Sequence, residues 1–358
     1  MKLKPLSWDN LKFGQVYTDH MMEVDWNQSK GWSKPLISPL HNFDIHPGAK
    51  VLHYAIELFE GMKAFRGVDN KIRLFRPEKN IERMKRSAIR ATLPDFDAEE
   101  LIKLISNTIE IDKEWVPYSD TGFLYIRPTM IGTDPTIGVA VSTQAKLFVL
   151  LNPVGTSTGF QPVSLLADPE YVRAFSGGVG AYKMGCNYAP TLLVGKIAHK
   201  MGCHQALWLY DTDEKLTEAS AMNIFVYWKN ENGEEELVTP PLEDGLILPG
   251  VTRDSILVLA REWNEFKISE RYPTMEEIQR SLKEKRMLQM FCTGTASGIV
   301  PVNRIVYKNK KTKECENLLL PTMESRSNLV KRFYDTILDI QVITCSQWVV
   351  TLNPRNIF

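Results

Sequence analysis

The stretch Ser176–Tyr188 reads SGGVGAYKMGCNY. A single lysine, Lys183, stands among glycines and small residues, and nothing in the stretch repeats at a helical or strand period. Glycine at this density lets backbone pass close to a bound group. A lysine held there can act as an imine-forming nucleophile, provided its ammonium gives up a proton near neutral pH. Two phosphate-loop readings fail. Gly178-x-Gly180 puts Lys183 where the dinucleotide fingerprint requires a third small residue, and no Gly-Lys-Ser/Thr follows to make a Walker pattern. For this segment alone, a solvated lysine on a glycine-rich surface loop is an equal alternative.

Further along, Thr217–Tyr227 reads TEASAMNIFVY and sets Glu218 immediately before an apolar strand. A carboxylate at a strand end can serve as the partner of a ring nitrogen. Pyridoxal phosphate needs such a partner, because a protonated pyridine draws electrons from the substrate carbanion. A plain turn carboxylate is the alternative. Leu248–Asp254, LPGVTRD, runs Pro-Gly into an amphipathic helix and offers backbone N–H groups and the Thr252 hydroxyl at its N-terminus. Thr293–Ala296, TGTA, follows a strand and offers a second turn of N–H groups. Each of these is common by itself.

Around these segments short strands alternate with amphipathic helices. Lys71–Phe75 alternates as a strand, and Pro77 opens a helix with Ile81, Met84, Ala88 and Ile89 at helical spacing. Asp97 and Glu100 form a capping-box pattern before Leu101, Leu104, Ile105, Thr108 and Ile109. Gly122–Met130, Lys146–Leu151, Val163–Ala167, Ala206–Tyr210, Asn223–Trp228 and Leu288–Thr293 read as strands. Ala189–Met201, Thr252–Trp263, Thr274–Lys285 and a last stretch through Leu329, Phe333 and Ile337 read as helices. Asn230–Glu236, NENGEEE, reads as a turn, and the charge run Lys308–Glu316 as a hairpin or loop. Asn152–Pro162, NPVGTSTGFQP, is the linker candidate. The expectation is a mixed α/β (α+β) chain with a small N-terminal domain at 1–157, a linker at 158–163 and a larger domain at 164–358.

The 358-residue length suits two domains. Forty-three basic residues balance 43 acidic ones, so the basic footprint of a nucleic-acid binder is missing. No apolar run approaches the ~18 residues that span a bilayer, so no membrane partner is expected. The N-terminus MKLKPLSWDNLKFG has no apolar core for a signal peptide, and Asp9 argues against a transit peptide. Five scattered cysteines make a poor disulfide framework and point to a reducing compartment. No metal site is expected.

Taken in order, GGVGAYKMGCNY, LTEASAMNIFVY, LPGVTRD and TGTA resemble the class IV pyridoxal-phosphate aminotransferases (fold type IV). Phe59–Phe65, FEGMKAF, with RLFRPEKNIERM and LYIRP, narrows the resemblance to branched-chain-amino-acid aminotransferases of the animal type, over about residues 11–341. The resemblance implies pyridoxal 5'-phosphate in a cleft between the smaller and larger domains. It implies Lys183 as the Schiff-base lysine and proton carrier, Tyr188 at the phenolic oxygen, and Glu218 at the pyridine nitrogen. Arg83, Val251, Thr252 and Thr295 would hold the phosphate. Thr295 and Ala296 would offer backbone groups to the substrate carboxylate, and Phe59, Tyr125 and Arg127 would line the side-chain pocket. Tyr54 would reach in from a partner subunit, which makes a homodimer the expected assembly. The implied reaction is ping-pong exchange of an amino group between L-leucine, L-isoleucine or L-valine and 2-oxoglutarate, giving glutamate. D-amino acid transamination, aminodeoxychorismate cleavage and a non-catalytic scaffold are the rival readings. Aromatic walls suit the aliphatic substrates, while Arg127 and Tyr125 can hydrogen-bond a γ-carboxylate.

Three departures from the family stand out. The redox Cys-x-x-Cys of vertebrate members is replaced by Ser297-Gly298-Ile299-Val300. Cys186 takes a usually small, glycine-like position, and Ala221 stands where relatives often have threonine. Beyond Gln341 the tail matches the family poorly, with Trp348 resembling a late tryptophan of the family, and Asn353–Phe358 are expected outside the fold. The compartment expected is the cytoplasm, with the mitochondrial matrix as the alternative.

Overall fold

The computed structural model describes residues 8, 11–119, 121–155, 160–342 and 347–352. Two compact units result: residues 1–159, 182–186 and 336–358 form the first, and residues 160–181 and 187–335 the second. This division differs from the sequence-based one at two places. The lysine-bearing segment 182–186 and the described residues from 336 onward group with the first unit.

Among the described residues, the first unit has one nine-stranded sheet. Its order is β18 (Val349–Thr351), β6 (Ile72–Phe75), β5 (Met62–Arg66), β7 (Phe123–Gly132), β8 (Gln144–Val154), β1 (His20–Asn27) and β2 (Gly31–Trp32). β3 (Leu36–Pro39) pairs with β1, and β4 (Glu57–Phe59) with β7. Helices α2 (Pro77–Arg90) and α3 (Ala98–Ile111) cover its apolar face, where Leu58, Met62, Leu124, Ile126 and Met130 join Ile81, Met84, Leu101 and Ile105 in one core. The short helix α1 (Lys50–Tyr54) precedes β4. Pro77 opens α2 and Asp97 caps α3 by accepting the Glu100 N–H, as the sequence predicts. Ile89 departs from the predicted face and is 71% exposed, because it lies one residue past Ala88 on the turn that leaves the sheet.

The linker candidate also needs correction. Asn152–Val154 are the end of β8, opposite Tyr125, Leu124 and Phe123. Asn152 earns its buried place by accepting the Gly14 N–H at 2.8 Å. Residues 156–159 of that candidate, Cys345 and the tail Asn353–Phe358 lie outside the described residues. The C-terminal segment does reach the sheet: Val349–Thr351 pair with Phe75–Arg73, and Trp348 stacks 4.9 Å from the Arg76 guanidinium.

The second unit has its own nine-stranded sheet among the described residues. The order is β11 (Lys215–Ala219), β10 (Gln205–Tyr210), β9 (Val163–Ala167), β16 (Gly298–Lys308), β15 (Met287–Gly294), β12 (Met222–Lys229), β13 (Glu235–Thr239) and β14 (Lys267–Glu270). β17 (Cys315–Leu319) pairs with β16 across the charged run, which is the turn of a hairpin. The β9–β10 and β13–β14 pairs are parallel, so each needs a crossover, and helices α4 (Thr191–Lys200) and α5 (Val251–Trp263) supply them. The glycine-rich lysine stretch and LPGVTRD thus each follow the carboxyl end of a parallel strand. α6 (Met275–Lys283) carries a full capping box from Thr274 and Glu277, and α7 spans Leu329–Val342.

Candidate active site

In the first unit, Lys183 is held at its backbone from two sides. Its N–H donates to Ser87 Oγ at 2.9 Å, and its carbonyl accepts the Phe59 N–H at 3.0 Å. The amine lies 5.0 Å from the Phe59 ring centroid. Burial, and then the Arg83 charge, push its ammonium down to about 8, against an upward pull from Glu60. A lysine in that state is part-deprotonated near neutrality, which an imine-forming or proton-abstracting amine requires.

Arg83 is buried, not solvent-facing as arginines on amphipathic helices usually are. Asn80, Arg83 and Ser87 recur at helical spacing and form a second, polar buried stripe on α2 beside the apolar one. The Glu60 carboxylate explains why. It accepts Arg83 Nε at 2.7 Å and Nη2 at 2.8 Å, Asn80 Nδ2 at 2.9 Å and the Gly61 N–H at 3.1 Å. Burial alone would raise its pKa, but the Arg83 charge and these hydrogen bonds hold it below the ordinary carboxylate range.

Strand alternation assembles a second face. Tyr125 is opposite Lys63, and Phe59 is opposite Thr129, so Phe59, Lys63, Phe123, Tyr125 and Arg127 share the side of the sheet away from the core. The Arg127 guanidinium lies 4.5 Å from the Phe59 ring, and its Nη2 is 3.3 Å from the Tyr125 hydroxyl. Buried Arg127 Nε has no hydrogen-bond partner among the described residues. Gly61 is required here, since a Cβ would stand 2.0 Å from the Tyr125 hydroxyl. Lys63 rests 3.9 Å from the Phe123 ring, and burial pushes its ammonium down to about 7. Tyr54 ends α1, 39% exposed, with its hydroxyl donating to the Ile137 carbonyl.

In the second unit, Glu218, Asn223 and Thr293 are register partners across β11, β12 and β15, and therefore share one face. Glu218 is buried and its Oε2 lies 2.9 Å from Arg173 Nη1. Its Oε1 accepts Asn223 Nδ2 at 3.1 Å and the Leu248 N–H at 3.0 Å. Asn223 also donates to the Leu248 carbonyl at 2.8 Å, which ties the LPGVT turn to the carboxylate. Gly250 passes so close that a Cβ would meet Asn223 Oδ1 at 2.0 Å. Gly250 is the N-cap of α5 and makes no side-chain cap, so the N-terminal turn at Val251 and Thr252 lacks side-chain capping. Thr295, Ala296 and Ser297 form the three-residue hairpin turn between β15 and β16, closed by Gly298 at φ 69°. Thr293 Oγ1 is buried without a hydrogen-bond partner among the described residues. Tyr188 follows a 3-10 turn, and its carbonyl accepts from the Thr191 N–H, opening α4.

The structure thus gathers Lys183, Arg83, Phe59, Tyr125 and Arg127 in the first unit, and Glu218, Val251 and Thr252 in the second. Thr295 and Ala296 lie in the second unit's hairpin, Tyr188 before α4, and Tyr54 apart on α1. Glu60, Asn80, Ser87, Arg173 and Asn223 were not singled out by sequence. Glu60 does lie inside FEGMKAF, the block that narrows the resemblance.

The family described as amino-transferase class IV matches residues 57–305. A cytosolic branched-chain-amino-acid aminotransferase of Caenorhabditis elegans is 60% identical over 343 residues, covering 95% of this chain and 83% of the relative. The chain belongs to the branched-chain-amino-acid aminotransferases. The cytosolic enzyme of Mus musculus is 53% identical (96% of this chain, 88% of the relative), and the mitochondrial enzyme of Bos taurus is 50% identical (94% and 85%). The fold is shared with a branched-chain aminotransferase of Thermoproteus uzoniensis at a TM-score of 0.72 and 23% identity, covering 92% of this chain and 99% of that one.

The cofactor of this aminotransferase family is pyridoxal 5'-phosphate, and the residues present fit it. The fit rests on a lysine amine with a depressed pKa, a buried carboxylate backed by Arg173, and the orphaned Thr293 hydroxyl on the same face. The helix terminus without a side-chain cap adds a natural anion seat. The vertebrate thiol pair is absent from the β15–β16 hairpin. Cys292 on β15 is fully buried, and burial pushes its thiol far up; the Cys186 thiol is raised as well, again chiefly by burial. Ala221 is an exposed residue of the two-residue turn between β11 and β12.

Proposed function

We propose that this branched-chain aminotransferase moves the amino group of L-leucine, L-isoleucine or L-valine to 2-oxoglutarate, releasing the branched 2-oxo acid and L-glutamate. The observation that carries the reading is Lys183: an amine held near pKa 8 by burial and Arg83, beside an aromatic wall that also carries Arg127. Bound pyridoxal 5'-phosphate supplies the electron-withdrawing ring and the carbon that carries the amino group between substrates. Lys183 Nζ takes the α-proton of the amino acid. Glu218, kept in place by Arg173 and Asn223, would face the ring nitrogen. The α5 terminus at Val251 and Thr252, together with Arg83 and Thr295, would hold the phosphate, and Tyr188 the phenolic oxygen. Phe59 and Tyr125 exclude water from an aliphatic side chain. Arg127 and the Tyr125 hydroxyl offer charge-assisted hydrogen bonds to the γ-carboxylate of glutamate. Thr295 and Ala296 would receive the α-carboxylate.

A homodimer is part of the reading. Leu52, Tyr54, Ile137, Val139 and Val141 are exposed apolar residues of α1 and a following loop. Buried Lys50 holds that loop in shape through Thr136 Oγ1 at 2.7 Å and the Gly138 carbonyl at 2.9 Å. A fixed loop presenting apolar side chains suits a second copy, with Tyr54 delivered to the partner's site. The proposed compartment is the cytoplasm, after the cytosolic relatives; imaging of the tagged full-length protein decides against mitochondria. Among the described residues, no helix is long and apolar enough to cross a membrane. Incubation with L-leucine and 2-oxoglutarate tests the reaction: glutamate must form, and Lys183→Ala must abolish it.

A further inference from the structure

We infer that Glu60 is a positioning residue of the reaction: its carboxylate, at the junction of β4 and β5, fixes the Arg83 guanidinium and supplies the negative charge against which Lys183 exchanges its proton. The inference rests on the proposed function. The first support is geometric. Lys183 is clamped by the Phe59 N–H on β4 and by Ser87 on α2. Glu60 directly follows Phe59, and binds Asn80 and Arg83 on the helix stripe that also carries Ser87. One carboxylate therefore joins both arms of the clamp. The two-pronged contact fixes the guanidinium plane as a single hydrogen bond would not.

The second support is charge. A fully buried ion pair gives little net stability, because desolvating both ions offsets their attraction. Four donors converge on Glu60 nonetheless, and its charge has a neighbour to act on. Among the described residues, the charged and titratable groups acting on Lys183 include Arg83 from α2, Glu60 from the β4–β5 junction, and Tyr125 and Arg127 from β7. Two are cations that disfavour a proton on Nζ. Glu60 opposes them. Without it, Arg83 is opposed by the weaker upward pull of Tyr125.

The test is a pH titration of the cofactor's visible absorption band in the holoenzyme, which follows the proton on the lysine-bound nitrogen. Glu60→Gln keeps the shape and removes the charge, so its midpoint should fall by about one pH unit or more. Asn80→Ala removes one hydrogen bond to Glu60 and one to the Gly61 carbonyl and keeps the carboxylate, so its midpoint should stay with wild type. A folded Glu60→Gln protein titrating with wild type overturns the charge role. Glu60→Asp, which keeps the charge and shortens the reach, should hold the midpoint but speed cofactor release several-fold. Unchanged release in that variant overturns the orienting role. A wild-type band that survives in Lys183→Ala would count against the proposed function itself, independently of Glu60.

Discussion

Lys183 is where the residue scale decides most. With its ammonium lowered from 10.5 to about 8, the neutral fraction at pH 7 is roughly 300-fold that of an unshifted lysine. The neutral amine is the reactive form, so capture of pyridoxal 5'-phosphate by cofactor-free protein should speed up as pH rises through about 8 and level off above. Stopped-flow absorbance checks this; a rate still climbing steeply between pH 9 and 10 would contradict it. Lys183→Ala should cost at least ~1,000-fold in turnover, the upper range of a lost proton-transfer group. Arg127→Met should reduce kcat/KM for glutamate relative to leucine, by about 1.5–3 kcal/mol or roughly 10- to 150-fold, the worth of a charged hydrogen bond. Equal losses on both substrates would assign Arg127 to structure. Lys183 drew notice in the sequence because it stands in an unusual local composition, whereas Glu218 was singled out through the order of motifs that carries the resemblance. Glu60, Arg173 and Asn223 were not, because a carboxylate or amide reveals its partner only when distant strands and helices meet. Arg83 shows the same limit: the helical period places it on a face, and only the buried Glu60 makes that face an interior one.

At the scale of elements, the proposed chemistry draws on the loops of two βα crossovers. In chain order each crossover loop follows a parallel strand, the first running on into the Lys183 segment and the second ending at the α5 terminus that has no side-chain cap. The second loop depends on Gly250, where a methyl would collide with Asn223. Gly250→Ala should therefore shift Asn223, loosen the turn that shares Glu218, and cost about 1–3 kcal/mol through overpacking. Its cofactor Kd, from equilibrium dialysis, should rise, while far-ultraviolet circular dichroism stays unchanged; an unaltered Kd would remove the turn from cofactor binding. Helices α2 to α7 and the strands β6 to β10, β12 and β15 were readable in the sequence, including Pro77 at the start of α2 and Asp97 at the start of α3. Strands β1 to β5 and β16 were not singled out, and Asn152–Val154 were misread, because a turn-like composition hides a strand end. Asn152 contributes there through its amide contact to Gly14, a long-range bond with no local signature.

For the whole molecule, chain order and spatial grouping part company. The sequence suggested one cut near residue 157, yet the lysine segment and the described residues from 336 onward belong with the first unit. Trp348 is the anchor of the returning segment: it packs on Arg76 and on Phe75, and its carbonyl accepts the Arg76 N–H at 2.8 Å. Trp348→Ala should destabilise the protein by about 3 kcal/mol, read from the urea midpoint. Val139→Asp should weaken self-association in sedimentation experiments if the exposed loop meets a second copy; an unchanged mass would place the interface elsewhere. The central claim, that Lys183 and its aromatic and basic surroundings exchange amino groups between branched-chain and acidic substrates, has one direct measurement. Purified holoenzyme is given L-leucine and 2-oxoglutarate, with D-alanine as the parallel amino donor. Glutamate and 4-methyl-2-oxopentanoate formed in equal amounts from L-leucine, with no product from D-alanine, is the result predicted. Turnover of D-alanine without turnover of L-leucine would contradict it.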